Sequence, residues 1–220
     1  TARAFLFFAY PTKMSGDKVW IALAGETTAD GFTGATALSI AIDGGTKAVN
    51  EAGMSLMDAF WGHIPGSIGE TSTIAILIGA LILIWTGIGS WKIMVSAIAG
   101  GSIMALIFNW MGASYFPDNL YLQLNWMHHL VLGGFMFGVV FMATDPVTAA
   151  QTEKGKWIYG FLIGFLAILI RTVNPAYPEG MMMAILFMNI MAPLIDHYVV
   201  EANIKKRMKR LKAVQALIKN

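Results

Sequence analysis

The chain divides into a polar first third and an apolar remainder that contains five long hydrophobic runs. The runs cover residues 74–89, 93–111, 127–144, 157–170 and 181–200. Each approaches the roughly 20 apolar residues that a helix needs to cross a bilayer, and the run at 157–170 is the shortest. We therefore predict an all-α, polytopic membrane protein in which about five transmembrane helices form one membrane domain, residues 74–200.

The flanking segments have different patterns. Residues 1–10 look like the end of a helix already under way, so we expect further residues upstream of Thr1. Residues 11–73 are rich in Gly and Thr and contain only short apolar runs, which indicates a long loop region. Residues 201–220 alternate apolar side chains near helical spacing with lysines and arginines, a pattern typical of an amphipathic helix at a membrane surface or on a partner protein.

Composition supports the membrane assignment and narrows the chemistry. Of the 220 residues, 56% are hydrophobic and 13% are charged, whereas about 25% are charged in soluble domains. The basic residues near the C-terminus therefore indicate a membrane anchor, and we expect no nucleic-acid partner. The sequence has no cysteine, which excludes disulfides, iron–sulfur clusters and thiolate metal sites in this chain.

The positions of Lys and Arg predict the orientation, because these residues favour the cytoplasmic side. The basic segment 205–212 places the C-terminus in the cytoplasm. Counting back through five spans, Lys92 and the loop with Lys154 and Lys156 are also cytoplasmic, whereas the loop 112–125 is external and has no basic residue. Arg171 is the single exception. Residues 11–73 are then external.

Residues 30–36 are a first candidate site. Asp30 precedes two threonines, Thr33 and Thr36, which flank Gly34 and Ala35. Such small residues would let a bulky group approach the backbone and the Thr36 hydroxyl closely. Alternatively, Thr33 or Thr36 caps a helix that begins near residue 37.

A second candidate lies directly before the first span, at residues 64–73. Pro65 and two glycines interrupt regular structure there. Ser67 and Glu70 fit a capping box, and the same segment fits a broken helix whose N-terminus faces an ion or phosphate path. The pattern leaves both readings open.

Asp145 and Asp196 are acids at the end of, and within, apolar runs. Charged groups at membrane depth usually face a protein interior or an ion path. Alternatively, Asp145 caps the next segment and Asp196 lies among the headgroups. The adjacent His128 and His129 have no further ligand at metal-site spacing, so we interpret them as an interfacial anchor.

Eight segments of the chain resemble one known family. They include the sequence Asn-Pro-Ala-Tyr-Pro-Glu-Gly-Met-Met at 174–182. The full set is residues 7–11, 14–17, 34–36, 64–72, 129–134, 141–146, 174–182 and 192–197. In this order they resemble the NqrB/RnfD family, the flavin-carrying membrane subunits of sodium-translocating NADH:quinone reductases and of Rnf electron-transport complexes.

The resemblance implies a cofactor and partners. In this family the last Thr of a Ser/Thr-Gly-Ala-Thr motif, here Thr36, carries FMN through a phosphoester that a separate flavin transferase makes, and Thr33 stands where many members have Ser. It implies a bacterial inner-membrane complex with other subunits, one of which oxidises NADH. Riboflavin and quinone sites in the family depend partly on an N-terminal half with its own spans; the region seen here corresponds to one of two pseudo-repeats.

We therefore predict a flavin-carrying subunit of a Na+-pumping NADH:ubiquinone oxidoreductase, with Asp196, Asp145 and Glu70 as candidates for the sodium path. The matches at 14–17 and 174–182 favour this over an RnfD-type subunit, the first alternative. A non-redox five-span channel or transporter is the second alternative, and it predicts no covalent flavin.

Overall fold

The computed structural model describes residues 5–6, 9–10, 37–64, 66, 69–117, 119–174 and 180–219. All regular secondary structure in these ranges is helical, which confirms the predicted all-α class. The helices are α1 (Ala37–Glu51), α2 (Leu56–Trp61), α3 (Thr73–Trp85), α4 (Trp91–Tyr115), α5 (Trp126–Val131), α6 (Phe135–Phe137), α7 (Glu153–Val173) and α8 (Met181–Lys219). A π-helical turn, Gly138–Met142, continues directly from α6.

Three of the described helices are long and apolar enough to cross a membrane. They are α4, α7 and the Met181–Lys212 part of α8, and they match three of the five predicted runs. Helix α3 is shorter, with 13 residues, or about 20 Å at 1.5 Å per residue. It ends at Trp85 rather than near residue 89, and the hydroxyl of the C-cap residue Thr86 donates to the Ile82 carbonyl at 2.9 Å.

The third predicted run, residues 127–144, is not one continuous helix. Helix α5 ends at Val131, Leu132 is extended, and Gly133 has a φ of 70°. This left-handed backbone conformation is one that glycine adopts readily and that ends a helix. The chain then resumes in α6 and the π-helical turn. Such breaks are tolerated at membrane depth where neighbouring protein covers them, and Leu132, Phe135 and Val139 are fully buried here.

Close packing between α4 and α7 forms the centre of the larger buried core. Small residues on both helices make this possible: a Cβ on Gly100 would overlap the Phe161 carbonyl oxygen, and a Cβ on Gly164 would overlap the Ala97 carbonyl oxygen. Small residues spaced four apart are a common interface between membrane helices. Gly160 and Gly164 have this spacing on α7.

The ends of the helices show how they run. Lys92 in the first turn of α4 forms an ion pair with Glu153, the first residue of α7, and Trp91 contacts Trp157 edge to face. Helices α4 and α7 therefore begin at the same end of the bundle, which we call the lysine end. Helix α8 runs the other way, since its Asp196 contacts the start of α7.

A smaller buried cluster lies at the opposite end of the bundle. It joins α1 and α2 to Tyr121, Leu124 and Leu132. Helix α1 is broken at Gly45, whose φ is 60°, and a Cβ at this residue would lie 2.5 Å from the Leu120 carbonyl oxygen. This cluster positions the first turn of α1 against the segment around α5.

Helix α8 crosses the predicted boundary between the membrane domain and the basic tail. It continues without interruption through Pro193 and past residue 200 to Lys219. The apolar side chains of Ile204, Met208 and Leu211 are exposed, and at this spacing they share one helical face.

Candidate functional site

The predicted flavin attachment segment lies outside the described residues. This holds for Asp30, Thr33, Gly34, Ala35 and Thr36. The described chain resumes at the next residue, Ala37, as the first residue of α1. Ala37 and Leu38 are both 3% exposed, so the chain immediately after Thr36 is packed into the smaller cluster.

Asp196 lies at the lysine end, where its carboxylate binds the chain that leads into α7. Its Oδ2 accepts a hydrogen bond from the Gln151 backbone N–H at 2.7 Å. Its Oδ1 accepts from the Thr152 N–H at 3.0 Å and from the Thr152 hydroxyl at 2.5 Å. The Thr152 hydroxyl also caps α7 by accepting from the Gly155 N–H at 3.1 Å. The negative charge thus lies beside a helix N-terminus, where the helix dipole favours it.

The contact between α8 and α7 depends on a glycine. A Cβ on Gly155 would lie 2.5 Å from Asp196 Oδ1, closer than non-bonded atoms can approach. Asp196 is half-buried, and three donors occupy its oxygens. This geometry agrees with a structural role for Asp196. It also surrounds the charged carboxylate with a hydroxyl group and backbone amides.

Asp145 is the first residue of the loop that leads into α7, and Asp196 contacts the end of the same loop. Its carboxylate accepts from the Thr148 hydroxyl at 2.7 Å, from the Thr148 N–H at 3.2 Å and from the Val147 N–H at 3.3 Å. The hydrogen bond from the Thr148 hydroxyl, followed by that from Val147, holds the pKa of Asp145 below its ordinary value. Asp145 therefore stays ionised and organises the turn after Pro146, as the capping interpretation predicts.

A cleft of about 450 Å³ opens beside Asp145. Its wall is mostly apolar, but it includes Thr144, Thr148 and Asn189, and the Tyr159 hydroxyl donates to Asn189 Oδ1 at 2.5 Å. These oxygen and amide groups lie at the lysine end with Asp145. Within the part of the chain that the structure describes, no group of three or more His, Cys, Asp or Glu side chains could hold a metal ion.

Glu70 lies elsewhere, beside the break in the third run. A Cβ on Gly134 would lie 3.1 Å from Glu70 Oε2, and a Cβ on Gly66 would lie 3.5 Å from Oε1. Asp145 thus lies in the loop that leads into α7, Asp196 of α8 binds the end of that loop, and Glu70 lies beside Gly134. The Ser67 half of the predicted capping box lies outside the described residues. Helix α3 is instead capped by Ser72, whose side chain accepts from the Ala75 N–H at 3.3 Å.

The structure also shows a buried polar cluster that the sequence interpretation missed. Arg171 and His129 are completely buried, and His128 is 5% exposed. The Arg171 Nη1 donates to the His129 carbonyl oxygen at 2.7 Å. The interpretation of the histidine pair as an interfacial anchor is therefore wrong.

Arg171 is likewise not a loop residue but part of the last turn of α7, so it is no exception to the charge pattern of the loops. The sequence signal that could have revealed this cluster was the position of Arg171, a basic residue directly after the apolar run 157–170.

Comparison with known proteins identifies the family. The profile of the NQR2, RnfD, RnfE family matches residues 1–205. Three curated relatives are named as the B subunit of a Na(+)-translocating NADH-quinone reductase. The one from Chromohalobacter salexigens is 57% identical over 210 residues, which are 96% of this chain and 49% of the relative. That from Azotobacter vinelandii is 55% identical and that from Pseudomonas paraeruginosa 54%, each over 208 residues, 94% of this chain and 49% of the relative.

The chain spans about half the length of the curated relatives it matches. Its matched segment includes the interrupted third run, both acids of the lysine end and the residues before α1. A family profile that covers residues 1–205 and identities above one half leave no other assignment. The chain belongs to the NQR2, RnfD, RnfE family.

Proposed function

We propose that this chain is the flavin-carrying membrane part of a sodium-translocating NADH:quinone reductase. The observation that carries the proposal is the 54–57% identity, over 94–96% of the chain, with relatives named as the B subunit of that enzyme. The family also includes RnfD proteins, but this identity favours the quinone reductase. Other subunits of the complex would oxidise NADH, and quinone would be the final acceptor.

The proposed cofactor is FMN, esterified through its phosphate to Thr36 by a flavin transferase. Support comes from the Thr33-Gly34-Ala35-Thr36 motif and from the burial of Ala37 and Leu38 directly after it. Buried neighbours would fix an attached group relative to the bundle. The flavin supplies the redox chemistry, and the protein binds it, orients it and excludes water. Asp30 lies in the same motif region and is a further candidate for binding the cofactor.

Denaturing electrophoresis under ultraviolet light tests this proposal directly. The chain from the assembled complex should fluoresce, because a phosphoester survives denaturation. Thr36→Ala removes the hydroxyl oxygen that forms the ester, so the fluorescence should disappear while the chain still inserts and assembles. Thr33→Ala is the matched control and should keep at least part of the signal. A flavin-bearing peptide that maps to Thr33 would contradict the assignment, and an unmodified chain without fluorescence would favour a non-redox transporter.

Sodium is the proposed transported ion, and Asp145, Asp196 and Glu70 are the proposed residues of its path. Sodium is a hard cation that prefers oxygen ligands. The cleft beside Asp145 supports this part of the proposal, since Thr144, Thr148 and Asn189 add neutral oxygen atoms to the carboxylate. In this proposal Asp145 and Asp196 act at the lysine end of the bundle, and Glu70 acts at the opposite end.

A further inference from the structure

A groove lies between α7 and α8 at the lysine end of the bundle. It has a volume of about 350 Å³, and it opens on the bundle surface, since Ile158 in its wall is 46% exposed. The wall combines Lys154 of α7 and Lys206 of α8 with the apolar side chains of Ile158 and Ile195. These residues belong neither to the predicted flavin segment nor to the proposed sodium path.

The polarity of the groove changes along its length. Helix α7 begins at the lysine end and α8 runs towards it, so Lys154 and Lys206 both lie near the outside of the bundle. At 1.5 Å per residue, Ile158 lies about 6 Å deeper than Lys154, and Ile195 lies about 17 Å deeper than Lys206. The groove is therefore basic at its outer end and apolar at its inner end.

Aromatic side chains mark the level of the membrane surface at this end. Trp91 and Trp157, which contact each other, are 47% and 41% exposed. Tyr198 lines the groove and is exposed as well. Exposed Trp and Tyr side chains of membrane proteins concentrate at the level of the lipid headgroups. The basic end of the groove thus lies among the headgroups, and its apolar end lies against the acyl chains.

The two lysines of the groove are available to a ligand. The ion pairs that the described residues form near this end involve other side chains. They are Lys92–Glu153, Lys156–Glu153 and Lys205–Glu201. Lys154 and Lys206 take part in none of these pairs, and both are exposed. Two ammonium groups at the outer end of an apolar groove complement a molecule with an anionic head and a hydrocarbon tail.

We infer that this groove binds an anionic phospholipid of the leaflet at the lysine end. Its phosphate lies between Lys154 and Lys206, and an acyl chain follows Ile158 and Ile195. Basic pockets between membrane helices bind acidic headgroups in this way, and lysine side chains reach the headgroups while their methylene stems cover apolar surface. Asn203 also lines the groove and adds an amide donor. A zwitterionic lipid fits less well, because its cationic group would approach the lysines.

Photolabelling of the assembled complex tests this inference. The complex is placed in phosphatidylcholine nanodiscs that contain a trace of phosphatidylglycerol with a photoreactive acyl chain. Mass spectrometry should find the label on the peptides that contain Ile158 or Ile195. An excess of unlabelled phosphatidylglycerol should displace it, whereas the same excess of phosphatidylcholine should not. Equal displacement by the two lipids would overturn the inference. So would the absence of label from these peptides, because another part of the complex would then cover the groove.

Variants separate the groove from general surface charge. Lys154→Gln combined with Lys206→Gln should lower the labelling about fivefold or more, because a lysine near the membrane surface contributes that much to the binding of an anionic lipid. The matched control combines Lys205→Gln with Arg207→Gln. It removes the same charge from neighbouring exposed residues that do not line the groove, and it should keep most of the label. Equal losses in the two double variants would overturn the inference.

A third variant tests the shape of the groove while both lysines are kept. Ala202 lines the groove on α8 and is exposed, so Ala202→Phe should fill part of the groove without disturbing the buried core. The labelling should fall as it does in the variant that lacks both groove lysines. Unchanged labelling of Ala202→Phe would show that the lipid binds elsewhere and would contradict the inference.

Discussion

Asp196 shows how one side chain can join two distant parts of the chain. Its carboxylate accepts hydrogen bonds from Gln151 and Thr152, more than forty residues earlier. Among the described residues, the donors to Asp145 are Val147 and Thr148, which lie in its own turn. The two acids are similar in sequence context, since each lies within three residues of a proline and either at the end of an apolar run or within one. Their contacts nevertheless predict different consequences for substitution.

Asp196→Asn is expected to destabilise the complex. An amide places an NH2 group against a backbone N–H donor, so at least one hydrogen bond to a charged acceptor is lost, at a cost of about 1–3 kcal/mol. The thermal midpoint of the assembled complex measures this. Glu201→Gln on the same helix is the control, because Glu201 forms an ion pair with the exposed Lys205, and exposed pairs contribute about 0–1 kcal/mol. Equal midpoints for the two variants would show that the Asp196 contacts do not stabilise the fold.

Asp145→Asn is the sharper test of the sodium path. The turn contacts of Asp145 are local and solvent-accessible, so the fold should survive the substitution. Removal of the charge beside the cleft should raise the sodium concentration that gives half-maximal quinone-reductase rate. The same measurement on Asp196→Asn is informative if that variant assembles. If both variants keep the unmodified half-saturation, neither acid belongs to the ion path, and the candidates are then Glu70 and the other proteins of the complex.

At the scale of elements, helix-to-helix distance is set by glycines. Gly100, Gly160 and Gly164 let α4 and α7 approach until backbone contacts backbone. Without water to drive association inside a bilayer, such close packing is a main source of stability between membrane helices. The interrupted third run then packs Phe135 against Gly101, where a Cβ would lie 2.7 Å from the Phe135 ring.

Gly100→Val is therefore expected to disrupt the α4–α7 pair. Its side chain would overlap the Phe161 carbonyl oxygen, and overpacking typically costs about 1–3 kcal/mol or more where backbone must move. Ala99→Val is the matched control, because Ala99 is the neighbouring residue on the exposed face of α4. The yield of assembled complex and its thermal midpoint measure both variants. A Gly100→Val complex as stable as Ala99→Val would contradict this packing account.

At the scale of the whole molecule, charged groups separate by end. Lys92, Lys154 and Lys156 lie at the lysine end, since α4 and α7 begin there. Buried Arg171 and the start of α1 lie at the other end. We propose that the lysine end and the C-terminus are cytoplasmic and that the flavin-bearing region is external, because basic residues are retained on the cytoplasmic side.

Labelling of single cysteines tests this orientation. Lys47 and Lys209 are exposed, and the chain has no cysteine of its own. A membrane-impermeant thiol reagent applied from outside should label Lys47→Cys and should not label Lys209→Cys until the membrane is permeabilised. The reverse pattern would invert the orientation, and with it the proposed external position of Thr36.

Several features of the protein follow from local composition and could be predicted from the sequence alone. A long apolar run in lipid forms a helix because lipid offers no hydrogen bonds and a helix satisfies its own backbone polar groups. This argument predicted α4, α7 and the first part of α8. The family followed from motifs along the chain. The flavin residue Thr36 and the orientation stay predictions, because the first lies outside the described residues and the second depends on a membrane.

The grouping of the polar residues, in contrast, depends on how the helices pack and could not be read from the sequence. The burial of Arg171 and His129, the hydrogen bond between Asp196 and the N-cap residue of α7, and the separation of Glu70 from the other two acids all depend on residues far apart in sequence. The same holds for the break at Gly133, since an apolar run looks alike whether it forms one helix or two short ones. A polar side chain in an apolar run has the same sequence signal whether it faces lipid headgroups or the protein interior, and only the packing of neighbouring helices distinguishes them.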